Sequence, residues 1–229
     1  MSILLHWEVR NMNEKFQYLV DNLREANKEI RFRDSTEDVN KLSDEDKELI
    51  ANQATNAANE LVNFFWQKKN APLRIGDMLD SLGFAVVPDN SFDDDKLSGV
   101  LAIDNTVAME RFRKMIVLNN RDNIGHQRFT IAHELAHYIF DALPNQKYYE
   151  AYYRTDDKKN NEIREYRANK FAANLLMPRT IFESRYKFIA RQIKDTQKVQ
   201  FILSLDFGVS VTAINKRIEE LNLEANSIL

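Results

Sequence analysis

Apolar positions recur at helical spacing along most of the chain. In residues 11–33, Met12, Phe16, Leu19, Val20, Leu23, Ala26 and Ile30 share one face and predict a helix. Residues 34–47 are polar and charged and break that pattern. Ser43 with Asp46 makes a capping box for the next helix, which runs to about Lys69 with Ile50, Ala54, Ala57, Leu61 and Phe65 inward. A short helix follows Pro72, with Gly83 at its C-cap. Three short segments rich in Val, Ile and Leu then read as strands: Phe84–Val87, Leu97–Ile103 and Lys114–Leu118. Gln127–Asp141 is apolar over so wide an arc that it predicts a buried helix. Asn161–Met177, stopped by Pro178, is another helix. A helix near Gln197–Leu205, a turn at Phe207-Gly208-Val209 and a helix from Val211 to Leu221 capped by Ser210 complete the pattern.

Composition narrows the class. With 5 Gly and 4 Pro in 229 residues, an architecture of many tight turns is disfavoured, and the chain reads as mostly helical α+β. The net charge of -3 gives no field drawing the whole molecule to nucleic acid or to an anionic membrane. Cysteine is absent, so disulfides and thiolate metal sites are excluded and any metal must use His, Asp or Glu. No stretch approaches the roughly 20 apolar residues of a membrane helix, and Ile3-Leu4-Leu5 is too short for a secretory signal, so a cytoplasmic location is expected.

The chemistry centres on His133-Glu134-Leu135-Ala136-His137. On a helix, positions four apart lie about 40° apart around the axis and one turn along it. Two imidazoles so placed can reach one tetrahedral zinc ion, and the intervening glutamate can act as the base of a metallopeptidase. Catalytic zinc commonly takes a third protein ligand. In the helix 161–177, Glu165 shares a stripe with Ala168, Asn169, Ala172 and Leu176. The small residues suggest close helix packing, where a carboxylate needs a cation. Glu165 is therefore the candidate third ligand. Glu162, one turn earlier, competes for that role, although an acidic residue near a helix start has a simple dipole function.

Two runs carry a specific resemblance. Residues Arg128 to His137 and Glu165 to Pro178, the latter reading Glu-Tyr-Arg-Ala-Asn-Lys-Phe-Ala-Ala-Asn-Leu-Leu-Met-Pro, resemble the ImmA/IrrE family of metallopeptidases. The tail Phe207-Gly208-Val209-Ser210, with Arg217 and Leu221, is also similar, and the resemblance covers roughly residues 55–222. Ala136 stands where the family motif commonly has glycine, but it is not a ligand. The resemblance implies a zincin-like fold with a small antiparallel sheet on the active-site helix. It also implies Zn²⁺ on His133, His137 and Glu165, with Glu134 catalytic. The implied activity is cleavage of a cytoplasmic protein, above all a helix-turn-helix transcriptional repressor of phage, mobile-element or stress regulation. An edge strand could bind substrate by strand addition, for which Leu97–Ile103 is the candidate.

Other features have simpler readings. His126 could donate to an oxyanion, but more simply sits at a helix start. Tyr148, Tyr149, Tyr152, Tyr153 and Arg154 fill the connection between the ligand helices, and one could stabilise a tetrahedral intermediate. Asp93-Asp94-Asp95 lacks the alternation and central Gly of a calcium loop and reads as a solvated turn. The C-terminal helix–turn–helix spacing supports an alternative, a DNA-binding or protein-interaction regulator with a structural or vestigial metal site. Against direct DNA binding, Lys216 and Arg217 are balanced by Glu219 and Glu220 in the would-be recognition helix. The expected organisation is an N-terminal helical extension over 1–54, a catalytic domain over 55–195 and a helical segment over 196–229 packed on it.

Overall fold

The computed structural model describes residues 41–66, 72–92, 97–103, 114–142 and 162–223, with Tyr18 and Asp21 in helical conformation. The amphipathic run 11–33, the acidic triplet 93–95 and the tyrosine-rich connection 145–160 lie outside the described residues, those two positions apart.

Helix α1 spans Asp44–Phe65. Ser43 caps it as expected: its Oγ accepts from the Asp46 N–H at 3.0 Å, and its hydroxyl donates to the Asp46 carboxylate at 2.7 Å. Asp44, Glu45 and Asp46 place negative charge at the positive end of the helix dipole. The helix runs without a break across the expected boundary at 54/55, with Ile50, Ala54, Ala57, Ala58 and Leu61 all buried. Helix α2, Ile75–Ser81, is followed by Gly83 at a φ of 72°.

The strands are β1 (Phe84–Asp89), β2 (Gly99–Ile103) and β3 (Lys114–Asn119). Their order is β1-β3-β2. β2 pairs antiparallel with β3, placing Gly99 opposite Leu118, but β1 pairs parallel with β3, placing Phe84 opposite Lys114. The sheet is therefore mixed, not wholly antiparallel as the family resemblance implied. Chain direction is set by the crossovers on either side of β2, which a strand pattern does not encode. β2 lies at an edge among the described residues, as expected for Leu97–Ile103.

Helix α3 spans Ile124–His137, starting three residues before the expected Gln127 because Asn123 caps it, its side chain accepting from the His126 N–H at 3.0 Å. Every residue from Thr130 to Ala136 is buried. The expected α-helix to Asp141 instead finishes as one π-helical turn, Tyr138–Ala142. Helix α4, Glu162–Leu176, packs between α1 and α3. Ala54, Ala57 and Ala58 on α1, Ala168 and Ala172 on α4, and Ala132 and Ala136 on α3 are all buried, and small side chains let helix axes approach closely.

Helix α5, Arg179–Gln192, has no counterpart in the sequence reading. It buries one narrow stripe, Phe182, Tyr186 and Ile189, in an otherwise polar segment. Pro178, which ends α4, also starts α5. Helices α6 (Thr196–Phe207) and α7 (Val211–Glu220) follow, with Gly208 at a φ of 62° between them and Ser210 capping α7.

Two features tie this tail to the rest. Arg128 on α3 donates to the Gly208 carbonyl at 2.8 Å and to the Leu73 carbonyl at 2.7 Å. Arg217 on α7 is buried and donates to the Met177 carbonyl at 2.9 Å and to Asn174 Oδ1 at 2.7 Å, while Asn174 donates to Thr55 Oγ1 on α1 at 3.1 Å. Among the described residues, no helix is long and apolar enough to cross a membrane.

The approach of α3 to the α6–α7 turn gives a direct test. A Cβ on Gly125 would lie 2.7 Å from both the Ser210 nitrogen and the Val209 carbonyl carbon. Both are backbone atoms and cannot step aside cheaply. Gly125→Ala is expected to cost about 1–3 kcal/mol, read as a lowered midpoint in thermal or urea unfolding. An unchanged midpoint would show that this approach is loose.

Candidate metal centre

His133 and His137 lie four apart on α3, and their rings meet edge to face with centroids 4.8 Å apart. Their Nε2 atoms are 3.0 Å apart. Glu165, in the first turn of α4, reaches across the helix packing. One carboxylate oxygen is 3.1 Å from His133 Nε2 and the other is 3.3 Å from His137 Nε2. The ligand atoms of these three residues all lie within 4.8 Å of one another, a grouping that could hold a metal ion. Glu162 is exposed and does not belong to the group.

The outer nitrogens explain why the inner ones converge. His133 Nδ1 lies 3.1 Å from Asn169 Oδ1, one helical turn beyond Glu165. His137 Nδ1 lies 2.8 Å from Asp141 Oδ2, in the π-helical turn. Each oxygen accepts the Nδ1–H, which leaves the Nε2 lone pair turned inward. Asp141 is itself held by Arg167, which donates to Oδ1 at 2.7 Å, with the Arg164 guanidinium 3.9 Å away. The Arg167 guanidinium also stacks over the Phe140 ring, 4.6 Å from its centroid.

This donor set fits a divalent cation. Two inward lone pairs and a carboxylate at such separations repel unless a positive charge lies among them. In the metal-free protein a proton does this work. Burial pushes the His137 imidazolium down, but hydrogen bonds to Asp141 and Glu165, with the charges of Asp141 and Glu134, outweigh it and raise the pKa to about 9. For Glu165, burial pushes the carboxyl up, but the two imidazoles hold it well below the usual range. Asp141 is likewise buried, and His137 with Arg167 keeps it ionised.

Glu134 lies between the two histidines in sequence, and it is buried. Asn169 and Asp141 were not singled out as site residues from the sequence. A signal for each existed: Asp141 follows His137 by four positions, and Asn169 follows Glu165 by four, the interval that places side chains together on a helix. His126 is at the helix start, as its simpler reading expected, with Nε2 3.1 Å from Ser98 Oγ.

Two outcomes follow from this geometry. Since His137 keeps its proton up to about pH 9, a metal ion must displace it at neutral pH. Zinc affinity is therefore expected to rise with pH and level off above that value. Calorimetric titration in buffers of differing ionisation heat should find about one proton released per ion at pH 7; none released would contradict this assignment. Asn169→Ala should weaken zinc binding by about tenfold or more, whereas Glu162→Ala should leave it unchanged. Competition with a chelator reads both.

A family model agrees with the motif. Residues 90–219 match the peptidase M78 model, described as the IrrE N-terminal-like domain, a narrower span than the resemblance at 55–222. The match takes in β2, β3 and α3 to α7. No curated protein sequence matches the chain. Among solved structures, a Mycobacterium tuberculosis transcriptional regulator is similar at a TM-score of 0.41 and 16% identity over 86% of this chain. This chain spans 52% of that one's length. Since the family model covers more than half of the residues and includes His133, His137 and Glu165, the chain belongs to the ImmA/IrrE family of peptidases.

Proposed function

We propose that this protein is a zinc-dependent endopeptidase that hydrolyses a peptide bond in a protein substrate. The observation that carries the reading is the convergence of His133 Nε2, His137 Nε2 and the Glu165 carboxylate beside the buried Glu134. His133, His137 and Glu165 would hold the ion, which when bound supplies Lewis acidity and lowers the pKa of water to about 7.

The remaining chemistry belongs to the chain. Glu134 accepts a proton from the attacking water at its carboxylate and delivers it to the departing amine nitrogen. Asn169 and Asp141 keep both imidazoles in one tautomer and orientation through the cycle. The α1–α4–α3 packing keeps Glu165 from swinging away. The substrate we favour is a helix-turn-helix repressor, on the strength of the family alone. A cytoplasmic location fits such a target.

The competing reading, a regulator that binds DNA through α7, meets a physical obstacle. Arg217 is only 2% exposed and is bonded to Met177, Asn174 and Glu220, so it is not presented to a phosphate or a base. Of the two cations expected in a recognition helix, only Lys216 remains exposed.

Glu134→Gln separates chemistry from binding. It preserves shape but removes the base. The variant is expected to fold and to retain zinc at the wild-type ratio, while cleavage of a repressor substrate falls by about 10²–10⁴-fold. His137→Ala should lose the zinc itself. Equal cleavage by Glu134→Gln and wild type would overturn the mechanism, and undiminished zinc in His137→Ala would overturn the site.

A further inference from the structure

A cleft of about 630 Å³, bounded by α3, α4 and α7, lies next to the metal centre along the same two helices. Phe129, one turn before His133 on α3, forms part of its floor, and Asn169, which holds His133, forms part of its wall. Ala173 and Ala213 add apolar surface.

The rim is cationic through Lys216 and the part-exposed Lys170; Arg217 also lines the cleft but is buried, and the one carboxylate there is Glu220. That carboxylate is already committed, one oxygen to Lys170 and the other to Arg217 Nη1 at 2.7 Å. Lys216 is exposed and has no acidic partner among the described residues. The N-terminal ends of α3 and α7 both border the cleft, at Asn123 and Ser210, and add their positive dipole ends. An apolar floor with a positive rim is complementary to a peptide presenting an apolar side chain next to an acidic one.

We infer that this cleft is a substrate subsite, seating an apolar residue of the target peptide against Phe129, Ala173 and Ala213 while a neighbouring Asp or Glu pairs with Lys216. The inference rests on the peptidase reading and supplies its specificity. A peptide with its scissile bond at Glu134 and running along α3 toward the helix start enters the cleft within a few residues. Lys216 is then a specificity-determining residue that takes no part in the chemistry.

The test uses zinc-loaded Glu134→Gln protein, so that bound peptide persists. The probes are two fluorescein-labelled ten-residue peptides of Leu, Ala and Ser, identical except for a pair of Glu or a pair of Lys at the same positions. Fluorescence anisotropy is expected to show the acidic probe binding about tenfold more tightly than the basic one at low salt. Adding Lys216→Glu, a change at an exposed position, should bring that ratio to one or invert it. Ala213→Trp should fill the cleft and weaken both probes. Equal affinities, no binding of either probe, or a ratio untouched by Lys216→Glu would overturn the inference. Failure of the peptidase reading has a different signature: the acidic probe binds with the expected preference, yet wild-type zinc protein cleaves neither it nor longer acidic–apolar peptides.

Discussion

Everything at the centre depends on holding two imidazoles with their Nε2 atoms turned toward each other. Left to themselves, the rings of His133 and His137 would rotate apart. Two hydrogen bonds on their far sides prevent the rotation, from Asn169 on one ring and Asp141 on the other. Each anchor comes from a different place. Asn169 belongs to the neighbouring helix α4, whereas Asp141 belongs to the π-helical turn that extends α3 itself. The site therefore exists only when α3 and α4 are docked and the end of α3 is wound as observed.

Docking is secured by side-chain size more than by polarity. Alanines at the α1–α4 and α3–α4 contacts let three helices lie close, and the first turn of α4 then brings Glu165 within reach of both rings. A larger residue at Ala168 or Ala172 would move the carboxylate by more than the tolerance of a metal site, which is a few tenths of an ångström. On the far side, Arg167 ties Asp141 to α4 as well, so the second imidazole is indirectly fastened to the same helix as the first.

Much of this was legible in the sequence, for reasons that differ from element to element. The His133–His137 interval, the capping of α1 by Ser43 and of α7 by Ser210, and the small-residue stripe of α4 are local patterns with direct local meaning. Glu165 was legible because a carboxylate in such a stripe requires an explanation. The parallel pairing of β1 with β3 was not, because it depends on the path of the chain around the sheet. Helix α5 was missed because a stripe of three buried residues in a polar segment gives a weak periodic signal. Asp141 sat in plain view at a helical interval from His137, but nothing in composition distinguishes an orienting carboxylate from a solvated one. The cleft between α3, α4 and α7 required knowing that three segments far apart in sequence meet.

Asn174 illustrates what such meeting points imply for mutation. Its amide donates to Thr55 Oγ1 and to the Lys170 carbonyl and accepts from Arg217, so a single side chain joins α1, α4 and α7. Losing Thr55 leaves one amide hydrogen without that acceptor, so the amide is held by the Lys170 carbonyl and Arg217 alone. Losing Arg217 leaves the amide oxygen buried without that donor. Each single change thus already disturbs the partner of the other. Substitutions at positions 55 and 217 should consequently be epistatic: the double change should cost less than the two single losses combined, although the residues are far apart in the sequence.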